Sequence, residues 1–250
     1  MNERFMELFY ELYHDMPRQG PGNKESTRTA YSKLTNLHDS PLILDVGCGV
    51  GKQTIDLANI SNATILAVDN YLPFLRTLNK TAKAHNVENR IITVNADMFE
   101  LCFAPNSFDV IWAEGSIYNL GFEKGLRDCS ALIKPGGYIA VTEVCWLKTG
   151  APEALSGFWE QEYPAITDIQ GNLDIIRKCS LDLVDYFILP ESAWWENYYL
   201  PLQKQIVRFQ KKVQNNKTAA DIVNMTQREI DIYKQFSDYY GYVFYVMQKS

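Results

Sequence analysis

An α/β chain built on a doubly wound parallel sheet is the fold class this sequence predicts, and three observations predict it. Short β-branched or apolar runs alternate with longer amphipathic ones from Leu42 to about Val144. The first apolar run breaks into "VGCGVG", a glycine cluster where a strand would turn sharply into a helix. The chain has 250 residues, of which 46% are hydrophobic, enough for one large domain with a substantial core.

The elements follow in order. Residues 2 to 16 carry an amphipathic helical pattern, "PRQGPGN" from Pro17 to Asn23 is a breaker-rich joint, and a second helix is expected from about Glu25 to Leu37. Residues 1–40 therefore read as an N-terminal helical cap. The strands expected in the core, residues 41–150, are "LILDV", "TILAVD", "RIITVN", "FDVIWA" and "GYIAVTEV". Helices are expected to begin near Lys52, Tyr71 and Glu123, the last stopped by "KPGG". Further helices are expected near Pro152 to Glu162 and Asn172 to Cys179, before a sixth strand in "LDLVDYFILP". A helical insertion over residues 190–239, with helices from Ser192 to Val213 and Thr218 to Tyr239, precedes a last strand in "GYVFYVMQ". All of this reads as one domain over residues 1–250.

Composition narrows the function classes. A net charge of −6 with scattered Lys and Arg opposes a broad phosphate-binding surface, so no nucleic acid partner is expected. The N-terminal segment carries acids throughout, unlike a signal or transit peptide, and no apolar stretch is long enough to cross a bilayer; no membrane insertion and a cytoplasmic location are expected. Cys48, Cys102, Cys129, Cys145 and Cys179 form no CxxC pair and read as small buried thiols, while His14, His38 and His85 lack zinc-like spacing. No metal is expected, and a homodimer is compatible with the sequence.

The glycines point to a ligand. Gly47 permits the turn, Gly49 removes a Cβ where a ligand would approach the main chain, and Gly51 lets the helix pack close to the strand. A dinucleotide fingerprint GxGxxG would need glycine at position 52, where Lys52 stands; the spacing here is GxGxG. That spacing, with Asp45 ahead of it in "LDVGCGVG", resembles motif I of the class I S-adenosylmethionine-dependent methyltransferases, in their bacterial small-molecule type. The resemblance extends to about Val144, through "ILAVDN", "VNADMF", "FDVIWAEGSIYNL" and "LIKPGGYIAVTEV". It implies a Rossmann-like, mostly parallel sheet of seven strands with the last one antiparallel. It also implies a donor site in which Asp69, followed by Asn70, accepts from the ribose hydroxyls, and Asp97 and Met98 meet the adenine. Read without it, Asp69 and Asp97 could each start a turn or cap a following helix.

The resemblance implies transfer of a methyl group from S-adenosylmethionine to a small-molecule acceptor by in-line displacement, leaving S-adenosylhomocysteine. Alignment and exclusion of water carry such a step, so a lid is expected. The N-terminal segment and "PESAWWENYY" offer one. Trp194, Trp195, Tyr198 and Tyr199 fall at helical spacings and line either an acceptor pocket or a packing face. Arg18 is a candidate for the substrate pocket and Arg28 for the donor, each able to grip a carboxylate. Glu114 follows the fourth strand directly and could accept from the donor's ammonium or deprotonate the acceptor, with Tyr118 one turn on to orient it. Glu143 is a second carboxylate candidate, and His14 reads as an exposed helix histidine. Two other readings stay open: a nicotinamide-dependent oxidoreductase, and a non-catalytic protein that binds S-adenosylmethionine.

Overall fold

The computed structural model describes residues 3–250, so the first residues of the predicted N-terminal helix lie outside the described residues. The cap comprises α1 (Glu3–Tyr13) and α2 (Lys24–Tyr31). The core runs β1 (Leu42–Val46), α3 (Lys52–Ile60), β2 (Thr64–Asp69), α4 (Leu72–Ala84), β3 (Ile91–Asn95), β4 (Phe108–Ala113), α5 (Phe122–Leu132) and β5 (Ile133–Trp146). There follow α6 (Glu153–Glu162), β6 (Thr167–Asp168), α7 (Ile169–Lys178) and β7 (Leu181–Ile188). The chain ends with α8 (Glu191–Trp194), α9 (Leu200–Lys212), α10 (Lys217–Phe236) and β8 (Tyr240–Lys249).

The strands pair in the order β3-β2-β1-β4-β5-β8-β7. All run parallel except β8, which is antiparallel to both β5 and β7. The two-residue β6 adds a short parallel pairing on β5. Chain order reverses between β1 and β4, and it is outside the carboxyl ends of strands at such a switch point that open α/β sheets leave a crevice. The seven-stranded sheet and its antiparallel last strand match the expectation.

Burial explains the strands. All six residues of β4 are buried, as expected for a central strand covered on both faces. In β8, Tyr240, Tyr242, Phe244 and Val246 enter one hydrophobic cluster with residues of α1, α3, α4 and the C-terminal helices. Val243, Tyr245 and Met247 point the other way, into a second cluster with α5 and α7. Side chains also start several helices: Asn23 accepts from Ser26 N at 2.7 Å, Asp168 from Gly171 N at 2.7 Å and Asn216 from Ala219 N at 3.0 Å. Among the described residues no helix is long and apolar enough to cross a membrane.

Three elements differ from expectation. The second cap helix stops at Tyr31 rather than Leu37, with the Ser32 hydroxyl folding back onto Thr29 O at 2.7 Å. β5 begins at Ile133, so "KPGG" lies within it; the register jumps from Phe108↔Ile133 to Val110↔Tyr138, and Gly136 takes a φ of +75° in the bulge. The predicted helix over residues 192–213 is α8 and α9 joined by a π-helical turn, Trp195–Tyr199. Pro201 has no N–H to give Asn197 O, and the chain widens so that Leu200 N donates to Trp195 O.

Gly51 has a φ of +79°, and a Cβ there would lie 2.2 Å from Leu78 Cδ1 on α4. Its packing role is therefore against α4 rather than simply between strand and helix. The left-handed conformation and the overlap both oppose a side chain, so Gly51→Ala is expected to lower unfolding free energy by about 2 kcal/mol or more. Urea denaturation checks this; an unchanged midpoint would mean that Leu78 yields without strain.

Candidate active site

The glycine turn sits where β1 meets α3. Gly47 N and Cys48 N both donate to Val68 O at 2.9 Å, which ties the turn to the end of β2. Gly47 has a φ of +70°, and a Cβ there would lie 2.5 Å from Ser116 Cβ and 3.0 Å from Met98 Cε, so the bare main chain admits groups from two other loops. Asp45 is fully buried beneath the turn and accepts from Thr54 Oγ1 and Gln53 Nε2 at the start of α3. Burial pushes its carboxyl up to about 7, against those hydrogen bonds.

At Gly49 the expected close approach is made by the protein itself. A Cβ there would lie 2.4 Å from Gln19 Oε1, and the same oxygen accepts from Val50 N at 2.9 Å. Gln19 belongs to the "PRQGPG" joint, which thus folds over the turn. Sequence reasoning did not single it out; its place in that joint was the available signal.

Asp69 ends β2 and is half-buried. Its Oδ2 accepts from Gly49 N and its Oδ1 from Tyr71 N, each at 2.9 Å, and burial pushes its carboxyl up against these bonds. Asn70 is exposed and accepts from Tyr10 Oη of α1 at 3.2 Å, while Tyr10 stacks on Tyr71 at 4.3 Å between centroids. Asp97 is exposed and caps a short turn by accepting from Phe99 N at 3.0 Å. Both aspartates therefore make local bonds, yet both stand with Met98 around one end of the glycine turn.

The other end is closed by an ion pair. Arg18 is 5% exposed and Glu114 is 8% exposed, and Arg18 Nη2 donates to Glu114 Oε2. Glu114 Oε1 accepts from Thr27 Oγ1 at 2.7 Å and from Trp112 Nε1 at 2.9 Å. Three donors thus surround Glu114, which was expected either to accept from the donor's ammonium or to deprotonate the acceptor. Gly22 makes room for the guanidinium, since a Cβ there would lie 2.4 Å from Arg18 Nη2. Arg18 Nη1 is buried with no hydrogen-bond partner. The joint thus places Arg18 beside Glu114, at the turn after β4. Arg28, by contrast, lies on the exposed face of α2 and is not part of this assembly.

Comparison with known proteins fits this geometry. Residues 43–137, from β1 into β5, match the family model described as a methyltransferase domain. Over that stretch, which is under half of the chain, the sequence resembles methyltransferase domains. Methyltransferase GfsG of Streptomyces halstedii is 28% identical over 60% of this chain and 56% of its own length. The 27-O-demethylrifamycin SV methyltransferase of Amycolatopsis mediterranei is 26% identical over 56% of this chain and 55% of its own. The chain thus spans about half the length of these curated relatives. A methyltransferase from Geobacter sulfurreducens in complex with S-adenosylhomocysteine shares the fold, with a TM-score of 0.84 at 16% identity and 98% of each chain covered.

In this protein the insertion lies over the sheet end as an aromatic layer. Trp194, Tyr198 and Tyr199 are buried, and Trp195 is half-buried. Trp194 stacks on Tyr233 of α10 at 4.6 Å and meets Tyr242 of β8 at 4.8 Å, so it packs the insertion onto the sheet. Tyr198 Oη meets Tyr13 Oη of α1 at 3.5 Å, joining the two cap segments. Tyr199 Oη donates to Glu229 of α10 at 2.9 Å.

Tyr118 remains 38% exposed, its ring edge-on to Tyr163 at 6.1 Å. Glu143 is 2% exposed on β5, and neither its Oε2 nor Tyr163 Oη has a hydrogen-bond partner of good geometry. Burial pushes the Glu143 carboxyl up to about 8 and that of Glu229 up to about 7. Tyr163, Tyr242 and Glu229 were not singled out from sequence, because helical and strand periodicity explains them as packing residues. His14 differs from expectation: it is half-buried and stacks on Phe74 at 6.4 Å. Cys102 is exposed, unlike the other four thiols. A separate surface hollow of about 780 Å³ lies between the end of β5 and α6 and does not reach the glycine turn.

Two outcomes follow from the buried charges. Glu114→Gln leaves Arg18 buried and uncompensated, and is expected to destabilise the fold by about 3 kcal/mol. Chemical denaturation checks this, and a loss near zero would mean that the pair contributes nothing to closure. The raised carboxyls of Asp45, Glu143 and Glu229 hold their protons in the folded state and lose them more easily when unfolded. Their stabilising contribution is complete below pH 4 and is lost as pH rises to between about 7 and 8. The melting temperature is expected to fall between pH 5 and pH 8, with a shallower slope in Asp45→Asn; a stability rising over that window contradicts it.

Proposed function

We propose that this protein transfers a methyl group from S-adenosylmethionine to a small-molecule acceptor. The observation that carries the reading is Arg18 Nη1, a buried cationic donor without a partner, held at the end of a glycine turn whose other end carries Asp69. A zwitterionic amino acid joined to a nucleoside has groups for both positions.

The residues fit such a donor. Asp69 accepts from the ribose hydroxyls, Asp97 and Met98 border the adenine, and the main chain at Gly47 lies beneath the linkage. Arg18 Nη1 holds the carboxylate, and Glu114 acts through Arg18 as a positioning residue. Gln19 occupies Val50 N with an amide oxygen, the kind of acceptor that a ligand oxygen could replace. When bound, the donor supplies a methyl group already activated on a cationic sulfur. The chain's own contribution is to align and to dry the site, which together supply about 7 to 11 kcal/mol of barrier reduction in well-oriented reactions. The caps supported by α1 and the 190–239 insertion serve that purpose, and Tyr118 orients the acceptor. Free thiols and the acidic net charge support a cytoplasmic setting without nucleic acid.

Titration calorimetry tests the reading. S-adenosylhomocysteine is expected to bind and NADH is not, and Asp69→Ala is expected to weaken the sulfur ligand at least about tenfold, near 1.4 kcal/mol. Binding of NADH alone, or an unchanged affinity in Asp69→Ala, would overturn it.

A further inference from the structure

Resting on that reading, we infer that the acceptor is an amine, bound as its ammonium between the carboxylate of Glu143 and the rings of Tyr118, Tyr163 and Tyr242. The inference starts from position. β4 ends at Ala113, paired with Val141 of β5, so Glu143 stands two residues beyond that level. Its neighbour Thr142 accepts from Gly115 N at 2.7 Å, which holds the main chain at Glu143 against the turn that carries Glu114 and Tyr118, and the Glu143 carboxyl acts on Tyr118, Tyr163 and Tyr242. Tyr242 faces the same turn, since a Cβ on Gly115 would lie 3.7 Å from its ring. Tyr163, just past the end of α6, supplies the outer wall through its edge contact with Tyr118.

The charge balance there is one-sided. Glu143 and Glu229 are the carboxylates that act on Tyr118 and Tyr242. The nearby cation, Arg18, is already engaged by Glu114. The Glu143 carboxyl has the Tyr163 hydroxyl beside it but no partner of good geometry, and a cation with N–H bonds is the group that would satisfy it. Tyrosine faces add attraction for a cation and none for a neutral hydroxyl. An anionic acceptor would meet two acids, and a purely apolar one would leave Glu143 Oε2 and Tyr163 Oη unpaired.

The chemistry closes on the same residues. The Glu143 carboxyl holds its proton in the empty site; the arriving ammonium favours the ionised form, that proton leaves to solvent, and the carboxylate then takes one N–H proton, leaving a neutral amine with a free lone pair. That pair forms the new C–N bond as the C–S bond breaks, and the bonding electrons go to sulfur, which becomes a neutral thioether. The product leaves as a methylated ammonium, and Glu143 releases its proton to solvent. With its carboxyl pushed up to about 8, Glu143 is far better matched to an ammonium than an ordinary carboxylate is.

The test pairs benzylamine, phenethylamine and tyramine with benzyl alcohol, phenethyl alcohol and tyrosol. Each is titrated into the S-adenosylhomocysteine complex and incubated with labelled S-adenosylmethionine. Amines are expected to bind the complex and take the label on nitrogen, and the alcohols to do neither. Glu143→Gln should weaken amine binding at least tenfold while S-adenosylhomocysteine affinity stays within twofold; Tyr163→Phe, which keeps the ring, should show a smaller loss in the same direction. Label on oxygen or carbon, no amine binding to a complex that forms normally, or amine affinity unchanged in Glu143→Gln would overturn the inference. Failure of S-adenosylhomocysteine itself to bind would instead strike the proposed function, and this inference with it.

Discussion

The buried pair between Arg18 and Glu114 is the constraint on which the closed site depends. Two ions that would each be expensive to bury alone are placed together under the N-terminal joint, one from the cap and one from the turn after β4. The surrounding bonds serve the pair. Thr27 from α2 and Trp112 from β4 saturate the carboxylate, and Gly22 yields the space the guanidinium needs. Once Arg18 is fixed, Gln19 follows it onto the glycine turn, so a joint with many backbone breakers becomes an ordered cover. One guanidinium nitrogen is left over, and that remainder gives the site its polarity.

Much of the core was legible because each strand had one physical reason to form. "FDVIWA" is apolar on both faces, and the central strand it predicts is buried throughout. The turn after "LILDV" was legible because left-handed backbone at Gly47, Gly49 and Gly51 leaves few residues able to stand there. The aspartates were legible as ends of strands. Their bonds to Gly49 N and Phe99 N show that a capping role and a place beside the turn coexist in one side chain.

What sequence did not reveal were relations across long stretches of chain. The protein partners of Glu114 were hidden because Arg18 and Thr27 lie 96 and 87 residues earlier. Arg28 and Arg18 looked equivalent until helix geometry turned one to solvent and the loop buried the other. The π-turn at Trp195–Tyr199 was readable in principle from Pro201, but which residues it would bury was not. The insertion's aromatic layer divides accordingly: Trp194 and Tyr199 pack, while Tyr118, from a different loop, keeps an open surface.

The turn after β4 thus lies near two buried groups with unsatisfied atoms, the guanidinium of Arg18 at Nη1 and the carboxyl of Glu143 at Oε2. A crystal structure with S-adenosylhomocysteine tests that account most directly. It should place the amino acid carboxylate within hydrogen-bond distance of Arg18 Nη1 and the ribose hydroxyls on Asp69, with the sulfur directed toward Tyr118. Density for the ligand in the hollow between β5 and α6, or a carboxylate held away from Arg18, would contradict it.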